Sequence, residues 1–264
     1  MTKYFLLRLE YDGTDYFGWQ IQRGTNQKTI QGELERCLKV LNPNGFKKSL
    51  GASRTDRGVH ARDQICKVDL AYAISSKGLH KALNDLLPLA IRVKEVNECD
   101  ESYHPIRDTY KKTYSYYFSP SDPRAFSSRY ITKIHSTFSQ DLLRHVCESV
   151  VGEWDFVNYF CQGSEVQTAT RKIYSCTFRK SDREVGGFNE AGSVYVIEIT
   201  GNGFLKQMVR LLVGAFLDVA SGKLSIEDFK KSLIQKNEKR ISCVMPAHGL
   251  FLDKIYDASQ GVSS

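Results

Sequence analysis

Over its first hundred or so residues the chain switches between two hydrophobic periods in the order strand, helix, strand, strand, helix, strand, and few folds accommodate that order. Residues 4–11 are rich in aromatic and aliphatic side chains and close on the turn pair Asp12-Gly13. A loop follows, TDYFGWQIQRGTNQK, with aromatic residues among polar and basic ones. Thr29 is placed to cap a helix whose Ile30, Leu34, Cys37, Leu38 and Leu41 share one face, and Asn42-Pro43-Asn44-Gly45 stops it. Residues 47–51 read as a short strand. Cys66, Val68 and Leu70 then alternate with Lys67 and Asp69, the pattern of a half-buried strand. Leu79, Ala82, Leu83, Leu86 and Leu87 make a helix ending at Pro88, and residues 91–96 return as a strand. The order suits a split βαβ unit, with helices on one face of a mainly antiparallel sheet.

A proline-interrupted stretch, Tyr103-His104-Pro105, opens a second unit. Residues 110–118 form a strand and SPSDPRAFSS a turn-rich connection. Ser139 caps a helix through Leu142, Leu143, Val146 and Val150, stopped by Gly152. RKIYSCTFRK and SVYVIEIT are strands on either side of a charged hairpin, SDREVGGFNEAG. A helix over about 204–220, a shorter one capped by Ser225 and a last strand at 250–256 complete the pattern, and the tail DASQGVSS is expected to be disordered. The expected organisation is therefore 1–104, 105–257 and a tail at 258–264. Both halves lay helices on strands, yet no internal repeat is visible in the letters.

A chain of 264 residues with 41% hydrophobic content can bury a substantial core as one large domain or two moderate ones. No apolar run nears the ~20 residues of a membrane span, and the start becomes charged too soon for a signal peptide, so a cytoplasmic protein is expected. Seven widely spaced cysteines, with no CxxC pair and no zinc spacing, read as reduced thiols, mostly in the core. There is no GxGxxG after a strand, no P-loop and no metal-ligand pattern, which excludes the common nucleotide and metal chemistries. A net charge of +7 permits a nucleic-acid partner without demanding one.

The stretch that promises chemistry is SRTDRGVHA, residues 53–61, which sets Asp56 between Arg54 and Arg57 and bends at Gly58 before His60. Taken as residue types alone, it also reads as a polar surface loop with a local ion pair. Asp63 is the only other nearby carboxylate for a two-carboxylate mechanism, and it reads as a surface charge. In the second half, Phe204, Met208, Leu211, Leu212, Ala215 and Val219, joined by Val209, Val213 and Phe216, make a helix apolar almost all round. Lys206, Arg210 and Gly214 form one line along it. A charge there needs a partner or a route to water, so Arg210 either pairs or snorkels.

SRTDRGVHA resembles the RTDxGVHA motif of the tRNA pseudouridine synthase A family, whose indispensable catalytic residue is the Asp. The resemblance extends over most of the chain. LEYDGTDYFGWQ is similar to the family's opening strand and aromatic loop, TYSYYF to its T-Y-x-Y strand, EWDFVNYF to its DF-x-x-F stretch, GNGFLKQMVRLLVG to its F-x-x-x-M-V-R helix and PAHGLFL to its G-L-x-L strand. Two departures stand in the central motif: Arg57 where the family commonly has Ala, and Ser53 where it has Gly. Leu211 also replaces a frequent Asn. The extra guanidinium of Arg57 is suited to a phosphate or to the ionised carboxylate.

The resemblance implies an α+β fold of two related α/β halves sharing one central, mostly antiparallel sheet, with helices on one side and the active cleft across the middle. It implies a cofactor-free, metal-free tRNA pseudouridine synthase, with Asp56 as the catalytic carboxylate. Arg54 helps expel the target base, Tyr114 packs on the uracil, Arg210 orients Asp56, and Leu250 lines the pocket. Residue types alone leave Tyr114 as half-buried sheet and Leu250 as plain core. The family assigns no proton transfer to His60, which reads as a structural hydrogen bonder. The implied partner is the tRNA anticodon stem-loop, modified at positions 38, 39 and 40, held by a homodimer. The rival readings are an RNA-binding protein of the same fold without catalysis and a synthase acting on another RNA.

Overall fold

A computed structural model of the chain describes residues 2–71, 73–161, 167–181, 194–237 and 241–257. Its contacts divide into two units, one of residues up to Tyr110 together with Phe251 onward, the other Lys111–Leu250. Strands and helices are mixed in both, and strand pairing is mostly antiparallel.

In the first unit, β1 (Lys3–Tyr11), β2 (Phe46–Gly51), β3 (His60–Leu70), β4 (Ile91–Glu98) and β10 (Leu250–Asp257) form the sheet. β1 lies between β4 and β3, antiparallel to both, with Lys3 opposite Leu70 and Tyr11 opposite Ala61. Two strands share the other edge of β3. β2 pairs antiparallel to its C-terminal half, up to Gly51 opposite Cys66, and β10 pairs parallel to its start, Phe251 opposite His60. The loop joining β2 to β3 therefore emerges where one edge partner gives way to the other.

Helix α1 (Ile30–Leu41) starts where Thr29 Oγ1 accepts the Gly32 amide, and buries Ile30, Leu34, Cys37 and Leu38. α2 (Ser76–Leu86) starts likewise at Ser75 and buries Leu79 and Leu83. Each large apolar side chain taken fully from water contributes about 1.5–3 kcal/mol.

β3 departs from the half-buried alternation expected of it: nine of its eleven residues are buried. Its polar side chains are covered from the other face. Lys67 donates to the carbonyls of Glu101 and Tyr103, and its ammonium lies over the Tyr4 ring. Asp63, expected as a surface charge, is buried too. Its Oδ2 accepts from Arg8 Nη1 at 2.6 Å and from the Ile255 amide at 3.1 Å, while Arg8 Nη2 reaches Asp257 at 2.7 Å. The partners lie 55 and 249 residues from Arg8 along the chain, which is why local sequence gave no sign of them. Deleting one member of such a cluster leaves buried charge uncompensated, at a cost of about 3–5 kcal/mol.

The second unit carries β5 (Thr109–Ser119), β6 (Thr132–Lys133), β7 (Gly152–Asp155), β8 (Thr170–Lys180) and β9 (Tyr195–Gly201), in the antiparallel order β5-β9-β8-β7, with β6 added parallel to β5. The short β7 lies in the EWDF stretch and was not anticipated. Helix α3 (Gln140–Ser149), capped by Ser139, contacts β8 and α4 (Met208–Ala220), and α4 contacts α5 (Ile226–Ser232), capped by Ser225. Leu142, expected on the apolar face of α3, is exposed; Leu143, Val146 and Cys147 face inward.

The expected helix from Phe204 begins four residues later. Gln207 is left-handed, with φ 64°, and the Lys206 carbonyl accepts the Cys161 amide, so 204–207 is held as a loop. Lys206 is thus not on the helical line with Arg210 and Gly214. On α4 only Arg210 and Asp218 escape burial. Four cysteines are buried, none of the seven is in a disulfide, and burial pushes the Cys37, Cys66 and Cys176 thiols up. The expected hairpin, apart from Ser181, and the tail at 258–264 lie outside the described residues.

Candidate active site

The loop from Ala52 to Val59 is fixed by backbone at almost every step. The Ala52 amide donates to Ile65, and the Gln64 side chain clamps Ser53, accepting from its amide at 3.2 Å and donating to its carbonyl at 2.6 Å. Thr55 Oγ1 shares a hydrogen bond of 2.9 Å with Tyr11 Oη, and its carbonyl accepts the Trp19 amide at 3.1 Å. Gly58 donates to the Tyr16 carbonyl, and Val59 closes the turn onto the carbonyl of Asp56. Gly58 has φ 77°, a left-handed conformation that a glycine adopts without strain. The aromatic loop after β1 is the other half of this structure. A Cβ at Gly13 would overlap the Val59 carbonyl, and one at Gly18, φ 89°, would lie 2.5 Å from the Thr55 oxygen and 3.1 Å from the Asp56 carbonyl carbon.

Asp56 is half-buried, between exposed Arg54 and Arg57. Among the described residues neither arginine pairs with it, which removes the local ion pair as an explanation of the motif. Arg57 instead lays its guanidinium over the Phe17 ring, 4.3 Å from the centroid. His60 is buried; its Nδ1 accepts the Gly13 amide at 3.0 Å, and its ring stacks on Phe251 at 4.7 Å. That is the geometry of a structural histidine.

In the second unit, Tyr114 is buried on β5 opposite Ile199, and the edge of the Phe204 ring meets it at 5.1 Å. Lys112 precedes it on the same face. Burial, with the Arg171 guanidinium nearby, pulls its ammonium down to about 8. Arg210 Nε donates to the Met245 carbonyl at 2.6 Å, and the Met245 amide returns to the Arg210 carbonyl. Gly214, one turn on, leaves the room that the Cys243 backbone fills. Tyr116 holds the far end of this segment, donating to the Pro246 carbonyl and sharing a hydrogen bond with Thr132; burial pushes its phenol up. The segment then turns through Ala247–Gly249 into buried Leu250. Arg210 and Leu250 are thus anchored on one short stretch of chain.

The sequence matches the family described as tRNA pseudouridine synthase over residues 146–257. It is 30% identical over 262 residues to tRNA pseudouridine synthase A of Latilactobacillus sakei subsp. sakei, covering 97% of this chain and 99% of that one. It is 35% identical to tRNA pseudouridine synthase A 2 of Desulfotalea psychrophila, covering 96% and 98%, and 35% identical to tRNA pseudouridine synthase A of Clostridium kluyveri, covering 95% and 98%. The chain belongs to the tRNA pseudouridine synthase A family.

A tRNA pseudouridine synthase is an isomerase. It breaks the bond from sugar C1′ to uracil N1, turns the base, and joins C1′ to C5; C5 releases a proton and N1 gains one. In this synthase the loop around Asp56 holds a half-buried carboxylate on a hydrogen-bonded turn. What sequence reasoning missed are the residues that hold it, Tyr11, Gln64, Gly13 and Gly18, and the anchors of Arg210, Met245 and Tyr116. A signal was present for Tyr11, Gly13 and Gly18, since LEYDGTDYFGWQ resembles the family as a unit, but not for Gln64. For the second, Tyr116 lies in the T-Y-x-Y strand, but nothing local tied it or Met245 to Arg210, far away in sequence. Among the described residues there is no group of three or more His, Cys, Asp or Glu able to hold a metal ion, and no helix long and apolar enough to cross a membrane.

Proposed function

We propose that this synthase isomerises uridines 38, 39 and 40 of the tRNA anticodon stem-loop, with Asp56 as the catalytic carboxylate acting at the sugar or the base. Arg54 helps expel the target base and binds phosphate, Tyr114 packs on the uracil, Arg210 orients Asp56, and Leu250 lines the pocket. The observation that carries this reading is the Asp56 loop itself. Its backbone donates to the carbonyls of Tyr16 and Ile65, accepts from the Trp19 amide and exchanges two hydrogen bonds with the Gln64 side chain, while the two arginines beside the carboxylate stay exposed. Scaffolding of that density around an accessible acidic turn suits chemistry better than binding alone. For Tyr114, support comes from the Phe204 edge contact, which fixes the ring. For Arg210 it comes from the Met245 carbonyl, which takes Nε and so fixes a guanidinium of the planar geometry that a carboxylate accepts.

The test is pseudouridine mapping on anticodon stem-loop substrates that keep uridine at only one of the three positions. Product at each of 38, 39 and 40 is expected; product only in other RNAs, or outside the anticodon arm, would refute the assignment. Arg210→Lys keeps the charge and loses the fork. It is expected to lower kcat roughly tenfold or more, about 1.4 kcal/mol in the barrier, with tRNA affinity little changed. A kcat within a factor of two of wild type would remove Arg210 from the mechanism. A homodimer is proposed on the family resemblance alone, and light scattering of fully active monomer would end it.

A further inference from the structure

Arg57 is the residue at which the motif departs from the family's usual small side chain, and its surroundings give the departure a use. Its guanidinium lies 4.3 Å over Phe17. Both residues belong to the first unit and sit on backbones tied together on either side of the contact. Gly58, next to Arg57, donates to the Tyr16 carbonyl at 3.2 Å, and Trp19, two past Phe17, donates to the Thr55 carbonyl at 3.1 Å. Phe17 is itself fixed at both ends, its amide donating to Lys28 at 2.8 Å and its carbonyl accepting from the Gln22 side chain at 3.3 Å. The backbone under the ring is therefore held on both sides, and the guanidinium lies over the ring.

Stacking uses none of the five in-plane N–H groups. Among the described residues Arg57 makes no ion pair and no side-chain hydrogen bond, and it is exposed. An exposed cation resting over an aromatic ring, with no N–H group committed to another described residue, is suited to an anion of planar-fork or tetrahedral geometry, and the substrate of this family is a polyanion. Arg57 directly follows Asp56. An anion gripped there lies beside the nucleotide presented to the carboxylate.

We propose that Arg57, seated on Phe17, is a phosphate-binding residue that grips the tRNA backbone next to the nucleotide presented to Asp56. The inference rests on the reading of Asp56 given above. Its test is binding, so that the two fail separately. tRNA affinity is measured from 50 to 200 mM monovalent salt in the Asp56→Asn protein with Arg57 intact, changed to Gln or changed to Lys. Losing one phosphate contact lowers the slope of log affinity against log salt by roughly 0.7–0.9. Arg57→Gln is expected to show that drop, with affinity reduced about tenfold at the low-salt end, and Arg57→Lys to keep most of the slope. Phe17→Leu should keep the slope and weaken affinity, because the cation survives without its seat.

An unchanged slope in Arg57→Gln overturns the proposal in each of its forms. With unchanged affinity the residue does not touch RNA. With weakened affinity it stacks on a base rather than binding phosphate. With a lowered melting temperature it serves only to cover Phe17. Turnover by the Asp56→Asn protein would refute the catalytic reading and leave the slope comparison intact.

Discussion

Asp56→Asn is expected to keep tRNA binding and to lower kcat for pseudouridine formation by at least about 10³-fold. The substitution is nearly isosteric, and the turn does not depend on the carboxylate, since Val59 closes it through the Asp56 backbone carbonyl. Among the described residues neither flanking arginine pairs with Asp56, so removing its charge breaks no ion pair within the motif. Attraction for phosphate is unchanged or slightly raised, because one negative charge has left a surface that faces RNA. The effect should fall on kcat alone, with Kd and thermal unfolding near wild type. Residual turnover within tenfold of wild type would show that another group does the chemistry.

The second large effect is expected at a residue that carries no functional group. Gly18→Ala places a methyl 2.5 Å from the Thr55 carbonyl oxygen and 3.1 Å from the Asp56 carbonyl carbon, on a backbone at φ 89°. The obstacle is backbone on both sides, so no side-chain rotation relieves it. The left-handed conformation adds about 1–2 kcal/mol of strain. The chain must separate the two loops by a fraction of an ångström to about one ångström, and that displacement falls on the Asp56 turn. Misplacing a reacting group by about 1 Å costs on the order of 10²-fold in rate, and we expect kcat to fall by that factor. Circular dichroism and tRNA affinity separate this from unfolding. A folded, tRNA-binding Gly18→Ala protein with kcat within threefold of wild type would mean that the aromatic loop does not position Asp56.

Local signals were legible in the sequence and distant ones were not. Thr29, Ser75, Ser139 and Ser225 each cap a helix by accepting the amide three residues on, and the caps at Thr29, Ser139 and Ser225 needed nothing beyond neighbouring letters. The strands of the first unit were visible because apolar residues cluster in β1 and alternate with polar ones along β3. The start of α4 was misread because Phe204 continues the helical period while its ring is committed to Tyr114 and the backbone at Gln207 is left-handed. Asp63 looked like surface because the partners that justify its burial, Arg8 and the Ile255 amide, come from opposite ends of the chain. At the site, the acidic turn announced itself through an unusual local string. The cost of an extra charge at Arg57 could be judged only with Phe17 beneath it, forty residues earlier in the chain.

The most direct measurement is single-turnover release of tritium from tRNA labelled at uracil C5, with enzyme in excess over RNA. Moving the glycosidic bond from N1 to C5 expels the C5 label, so release counts isomerisation events without regard to product dissociation. Wild-type protein should release label in step with pseudouridine formed in the anticodon arm, and Asp56→Asn, at concentrations where it binds all the RNA, should release none on that timescale. Release by Asp56→Asn at the wild-type rate would contradict the assignment of the carboxylate, and absence of release from wild-type protein that binds tRNA would contradict catalysis by this chain.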